Sequence, residues 1–183
     1  MLERLLIEHC SPTLASIKTA NLFRYVYSSK EELKKCVEVW NETLSEKGVF
    51  LEVLKKGDHD TLIYVYRKEK LREDLNREGV FDFLRQCGYC HGSTKEILDF
   101  LKQRLQESEC FPHEIGLFLG YPLEDVIGFV ENGGKNSKCS GCWKVYGDCE
   151  RAIRMFEQFK KCRTIYKYLF AQGRSISQLT VAA

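Results

Sequence analysis

Proline is scarce in this chain of 183 residues, with 3 copies, and methionine and tryptophan appear twice each. So little proline, with 13 glycines and no internal repeat, excludes collagen-like and low-complexity architectures. Long hydrophobic runs are missing as well. Uncharged apolar stretches such as Ile115–Leu119 fall far short of the roughly 20 residues a membrane helix needs. The N-terminal segment Met1–Cys10 has acidic residues on both sides of its apolar run and no small-residue cleavage site, so it is not a secretory signal, and a cytoplasmic location is expected. No complete catalytic signature is present: the glycine pairs form no phosphate loop, and no Ser or Cys stands at a diagnostic spacing from His113.

What is there is ample core material, 44% hydrophobic and 12% aromatic, which excludes wholesale disorder and fits a single globular domain over residues 1–183. Nine cysteines are an odd number, so at least one stays unpaired. In a reducing compartment they are thiols, buried small hydrophobes or metal ligands before they are a disulfide framework. The net charge of +2 hides an asymmetry: Glu107–Glu131 holds six acidic residues and no Lys or Arg, whereas Lys135–Arg174 holds ten Lys or Arg against three acids. A basic C-terminal surface favours an anionic partner, whether nucleic acid, a phosphate-bearing cofactor or an acidic protein.

Periodicity and end signals organise the chain. Ser29–Glu32 reads as a capping box before a helix with Leu33, Cys36, Val37, Trp40 and Leu44 on its apolar face, ended by Gly48. Val49–Lys55 and Thr61–Arg67 are β-branched and aromatic, and the loop with Gly57 and His59 makes them an antiparallel hairpin. Two short helices split by Gly79, a helix opened by a second capping box at Ser93–Glu96, a helix from Pro112 to Leu119 and another to about Glu131 follow. Gly141–Gly147 reads as a short strand, and Asp148 caps a long helix whose core face carries Ala152, Met155, Phe156, Phe159, Cys162 and Tyr166. A short turn or helix lies near Ser175–Leu179. Without a repeated βαβ unit the fold class is α+β: a sheet-containing part to about residue 67, a helical middle over 68–131, and a strand with a long helix over 141–183.

Several constellations carry chemistry. Cys139-Ser-Gly-Cys142 places two thiols around a turn glycine, the spacing of zinc knuckles and Fe–S loops, and a closed site needs two further ligands from Cys149, Cys162, Cys10, His9 or the Cys87/Cys90 pair. Cys87-Gly-Tyr-Cys90-His91 matches covalent haem attachment formally, but that chemistry belongs outside the cytoplasm. On a strand, Trp143 and Val145 share one face and Lys144 and Tyr146 the other. Trp143 is then available to a flavin or base, or buried in the core, and Lys144 is available to an anion. His113 and Glu114 stand in a first helical turn, where His113 is a candidate acid, base or ligand. The segment 114–131 has helix-turn-helix spacing around Gly116 and Gly120. Its second helix, however, offers Leu123, Glu124, Asp125 and Glu131 where base-edge donors are wanted, so nucleic acid is disfavoured as a partner.

His9-Cys-Ser-Pro-Thr-Leu-Ala15, Asn21-Leu-Phe23, Phe111–Pro122 and Cys142–Asp148 together resemble the domain-of-unknown-function family three-seven-nine-three, uncharacterised proteins of anaerobic Gram-positive bacteria. The resemblance runs from about His9 to Val181 and carries no activity with it. It favours Cys10, Cys142 and Cys162 as motif cysteines; relatives usually lack the extra residues that make Cys87–His91. It also implies, through relatives encoded near flavodoxins in iron-responsive settings, a redox or iron-linked role. The leading expectation is an accessory protein that binds a metal (Zn or Fe–S) or redox cofactor through Cys139, Cys142, Cys10 or Cys162, with Trp143, Lys144 and Tyr146 beside it, or that docks an acidic redox protein such as a flavodoxin. The alternatives are an enzyme using His113 or a reactive cysteine, and a nucleic-acid-binding regulator.

Overall fold

The computed structural model describes residues 2–107 and 111–182, which leaves Cys110 and Glu109 of the acidic stretch outside the description. At its centre is the hairpin expected over residues 49–67. The strands β2 (Val49–Lys56) and β3 (Asp60–Arg67) pair antiparallel, Val49 opposite Arg67, with a bulge between Val53 and Lys55. A further strand, β1 (Ala20–Val26), pairs antiparallel with the other side of β3, Ala20 opposite Tyr66, so the order is β1–β3–β2.

Neither β1 nor the helix before it, α1 (Leu2–Leu14), is predicted by periodicity. β1 interrupts its apolar residues with Asn21 and Arg24, and α1 contains Pro12 and a Ser11 hydroxyl that bonds the Ile7 carbonyl. Both are secured by long-range burial, with Leu6, Cys10, Leu14 and Ala20 all sealed from solvent.

Side chains alternate along a strand, so Phe23, Tyr25, Val49, Leu51, Ile63 and Val65 share one face, and Ala20, Leu54, Tyr64 and Tyr66 the other. The first face is covered by α1, α2 (Lys30–Leu44) and α9 (Ile176–Leu179). The second is covered by α3 (Lys68–Leu75), α4 (Val80–Gln86), α5 (Thr94–Glu107), α6 (Ile115–Phe118) and α7 (Leu123–Glu131). Helices on both faces explain why β3 reads as an almost continuous apolar run. The fold is α+β, mostly helical around a small antiparallel sheet.

The caps follow the sequence closely. The Ser93 hydroxyl accepts the Glu96 amide while the Glu96 carboxylate accepts the Ser93 amide, and those bonds hold the Glu96 carboxyl below its usual range. At α2 the Ser29 hydroxyl accepts the Glu32 amide at 3.1 Å, but the return bond to Glu32 comes from Ser28, one residue earlier than the expected box. Asp148 accepts the Arg151 amide at 3.0 Å and opens α8 (Cys149–Ala171), which packs along α1.

Two expectations shift. The helix expected from Pro112 begins at Ile115, because Pro112–Glu114 form a turn, and the strand expected over 141–147 shrinks to β5 (Lys144–Val145) paired with β4 (Cys139–Ser140). That tight hairpin requires glycine at 141, since a Cβ there would sit 2.2 Å from the Phe156 ring. Trp143, Val145, Ala152 and Phe159 form a third, small core under the hairpin.

Arg67 ends β3 and is buried at 3% exposure. Its guanidinium donates to the carbonyls of Thr13 (2.6 Å), Leu14 (2.7 Å), Val181 (2.7 Å) and Lys47 (3.4 Å), tying α1, the turn after α2 and the C-terminal segment to the sheet.

Candidate ligand cleft

Gly120 turns the chain between α6 and α7 in the left-handed region, φ +76°, and delivers Tyr121. The two helices approach closely at Gly116, where a Cβ would lie 2.8 Å from Val126. Asp125 then organises what faces them. This buried α7 carboxylate accepts the Trp143 indole N–H at 2.7 Å through Oδ2, and the amides of Tyr146 (2.7 Å) and Gly147 (2.8 Å) through Oδ1. A carboxylate with three N–H donors is a strong, directional anchor. It pins residues 143–147 to α7, and the Tyr146 ring lies directly on Gly128.

The result is a cleft of about 350 Å³ between α7 and the β4–β5 hairpin, walled by Phe111, His113, Tyr121, Phe129, Cys142, Trp143 and Lys144 among others. The two long sequence motifs, 111–122 and 142–148, therefore meet in one place. Across the Gly141–Cys142 turn lies a second cleft of about 440 Å³, whose lining includes the cationic side chains of Lys18, Lys160 and Arg163. Tyr121 and Cys142 border both, and the Tyr121 hydroxyl donates to the Cys142 carbonyl at 3.4 Å.

Lys18 is the least expected member of this region. Its ammonium donates to the carbonyls of Ala20 and Leu119 and lies 5.3 Å from the centre of the Tyr121 ring. Burial pushes its pKa down to about 8, against the opposing pull of the Cys10 and Cys142 sulfurs and Asp74.

The residues singled out in the sequence separate into several groups. His113 is exposed at the cleft, edge-on to Phe129 with ring centres 5.0 Å apart, and among the described residues it has no side-chain hydrogen bond. Glu114 points the other way. Its buried carboxylate accepts from Arg104 Nε at 2.6 Å and the Tyr89 hydroxyl at 3.3 Å, which clamps α5 to the start of α6. Trp143 is 8% exposed, stacked on Tyr121 at 4.6 Å and met edge-on by Phe156 at 4.6 Å, so its ring is engaged within the protein. Lys144 is exposed with its ammonium on the Gly134 carbonyl, and the Tyr146 hydroxyl donates to the Lys135 carbonyl at 2.8 Å. The expected alternation holds: Trp143 and Val145 face the core while Lys144 faces out.

The cysteines do not converge as one set. Cys139, Cys142 and Cys149 pack on the third core; Cys10 is sealed in the core between α1 and the sheet, and Cys162 is buried on α8. Burial raises the Cys10 thiol pKa far above its ordinary value and that of Cys162 to about 11, which disfavours the thiolate a metal needs. Among the described residues no three His, Cys, Asp or Glu side chains gather as a metal site. In the Cys87–His91 segment, Tyr89 is buried and bonded to Glu114, while the His91 ring stacks on Phe81 at 3.7 Å. In the segment 114–131, α6 is a single buried turn of four residues, and α7 presents Glu124 and Glu131 to solvent.

Sequence reasoning missed Asp125, Tyr121, Phe129 and Lys18 as parts of the site. Asp125 was legible only as an acid, but its position next to Val126 and three residues before Gly128 puts it on the buried face of α7, where a carboxylate requires donors.

No helix among the described residues is long and apolar enough to cross a membrane. A family model described as Protein of unknown function (DUF3793) matches residues 6–180. No curated protein and no solved structure matches the chain.

Proposed function

The chain belongs to the DUF3793 family, whose description assigns no activity, and from the cleft itself we propose that it is a binding module for a small anionic molecule carrying a planar ring, of the flavin mononucleotide or nucleotide class. The observation that carries this reading is the meeting of two distant motifs in one aromatic-walled cleft with cations on both sides of its Gly141–Cys142 rim. A volume of about 350 Å³ lies in the range of small-molecule sites. Phe129 and His113 supply the ring contacts, because Trp143 is already engaged and serves as wall. Lys144 on one side, and Lys160 with Arg163 on the other, supply the charge for a phosphate. A flavin ligand would also accord with the redox role that the family resemblance implies.

Trp143 is a built-in reporter. With Trp40→Phe it is the only tryptophan left, and titration with flavin mononucleotide or ATP is expected to quench it saturably, with Phe129→Ala or Lys144→Glu weakening binding by at least about tenfold, about 1.4 kcal/mol. Absence of saturation by either ligand up to about 1 mM, an affinity of only about 4 kcal/mol, would overturn the reading.

A second reading, docking of an acidic redox protein such as a flavodoxin, is favoured by one observation: Arg151, Arg154, Lys160, Lys161 and Lys167 are all exposed along α8, together with Ile153, Ile165 and Tyr168. Complementary charge gives a salt-sensitive association rate. Binding to a purified flavodoxin that weakens steeply with salt and disappears in Lys160→Glu with Lys161→Glu is the expected result; salt-independent or absent binding rejects it.

A further inference from the structure

Trp143 also borders a third, smaller cleft of about 150 Å³, lined by residues 17–19 ahead of β1, by α3 and the residues that follow it, by the Gly120 turn and by the N-terminal half of α8. Four cations line it, Lys18, Lys70, Arg77 and Arg151, against two acids, Glu73 and Asp74. The cations come from segments far apart in sequence, and the fold gathers them around one space although like charges repel.

The buried acid does not neutralise them. Asp74 is 7% exposed; its Oδ2 accepts the Thr19 hydroxyl and its Oδ1 accepts Arg77 Nη2 at 2.6 Å. Only a glycine fits over this pair at position 120, where a Cβ would lie 2.7 Å from Thr19 Oγ1 and 3.1 Å from Asp74 Oδ2. Each carboxylate oxygen thus carries a donor, and Asp74 acts as a brace for the Arg77 guanidinium, which keeps further N–H donors to offer. Lys18 is 8% exposed, and two of its three N–H donors go to the carbonyls of Ala20 and Leu119; the third has no hydrogen-bond acceptor among the described residues. Among the described residues no carboxylate is in ion-pair range of Lys18, Lys70 or Arg151. A buried ammonium without a counter-ion, on a cleft with two more unpaired cations, is an arrangement that an anion completes.

Size selects the anion. The cleft's 150 Å³ matches the share of about five waters in the liquid, room for the five heavy atoms of a phosphate and too little for a flavin or nucleotide ring system. We propose that this cleft is a separate binding site for a phosphate group, either free orthophosphate or the terminal phosphate of a larger molecule. Arg77 offers a planar fork to two phosphate oxygens, Lys18 an N–H from the buried side, and the more exposed Lys70 and Arg151 a charge each. Lys70, Arg77 and Arg151 line neither the aromatic cleft nor its neighbour, so this site does not depend on what those bind.

The test is calorimetric titration of the full chain with orthophosphate and, in parallel, phenyl phosphate, in dilute chloride buffer. Saturable binding of one phosphate per chain, half-saturated below about 1 mM, is expected. Lys70→Ala with Arg151→Ala, which breaks no ion pair and is checked by circular dichroism, should weaken it at least about tenfold. Lys160→Ala with Arg163→Ala, on the neighbouring cleft, should leave it unchanged. Tighter binding of orthophosphate identifies the free anion as the ligand, and tighter binding of phenyl phosphate identifies a phosphate ester. The proposal is overturned if neither probe saturates up to about 10 mM, or if the Lys70 and Arg151 changes do not weaken binding. Loss of phosphate binding in that variant with flavin mononucleotide binding retained separates this site from the aromatic cleft.

Discussion

Replacing Arg67 by Met is expected to be the most damaging single change outside the apolar cores. The side chain is 3% exposed and, among the described residues, pairs with no carboxylate; its positive charge is held by four backbone carbonyls, three of them at 2.6–2.7 Å. Burial lowers its pKa from the free value, a sign that desolvation is a real cost offset by those bonds. A hydrogen bond to a charged group is worth about 1.5–3 kcal/mol net, so three short ones amount to roughly 5–9 kcal/mol at full value. Recovering the guanidinium's desolvation, and letting the segment around Val181 fray so that its carbonyl is rehydrated, reduces this to about 3–5 kcal/mol. Against a typical total of about 5–15 kcal/mol, that removes a large share of stability. Arg67→Lys should recover only part, because one ammonium cannot span Thr13, Leu14 and Val181 as the planar fork does. Urea unfolding followed by circular dichroism measures both. A third variant ending at Thr180 adds a check on the route: without Val181, the cost of Arg67→Met should shrink by about 1 kcal/mol or more. An Arg67→Met protein less than about 1 kcal/mol below wild type would refute the assignment of Arg67 as the tie between these segments.

Asp125→Ala strands the Trp143 indole and the amides of Tyr146 and Gly147, and is expected to cost about 2–4 kcal/mol in urea unfolding and to red-shift the Trp143 emission in the Trp40→Phe background. Gly128→Ala drives a methyl to 2.4 Å from the Tyr146 ring, so despite alanine's better helix propensity it should lower the melting temperature, by about 1–3 kcal/mol of overpacking. The Cys10 thiol has a pKa raised above the ordinary 9.0 by burial, so the folded state keeps its proton where the unfolded state loses it. Its contribution is whole below pH 9 and is lost as the pH rises beyond, and Cys10→Ala should flatten the alkaline fall in stability above pH 9.

The sequence was most legible where local chemistry decides the outcome. Ser93 with Glu96 and Asp148 each cap the helix they predict, and the 49–67 hairpin has the expected strands. It was least legible where burial overrides propensity. α1 and β1 are held by contacts with β3 and α8 that lie tens of residues away, and no window of sequence carries them. The site shows the same division. His113, Cys142, Trp143 and Lys144 stand in readable motifs and line one cleft, whereas Lys18, from the turn before β1, lines the neighbouring one and carries no sequence signal for it. Cys139 and Cys142 pack on the third core while Cys10 lies in the core between α1 and the sheet, a distinction that spacing in one dimension cannot carry.

The small size of the third core has a consequence for how the molecule opens. Four buried side chains hold the β4–β5 hairpin, while each face of the sheet is backed by sixteen or more. Local opening free energy follows the apolar contact a unit must give up. The 139–147 corner is therefore expected to be a separate cooperative unit whose amides exchange with deuterium ahead of those of β1–β3. Because this unit forms one wall of the cleft, any molecule bound there selects its closed form, and slowed exchange at Trp143 and Tyr146 would register occupancy before any change in the rest of the chain.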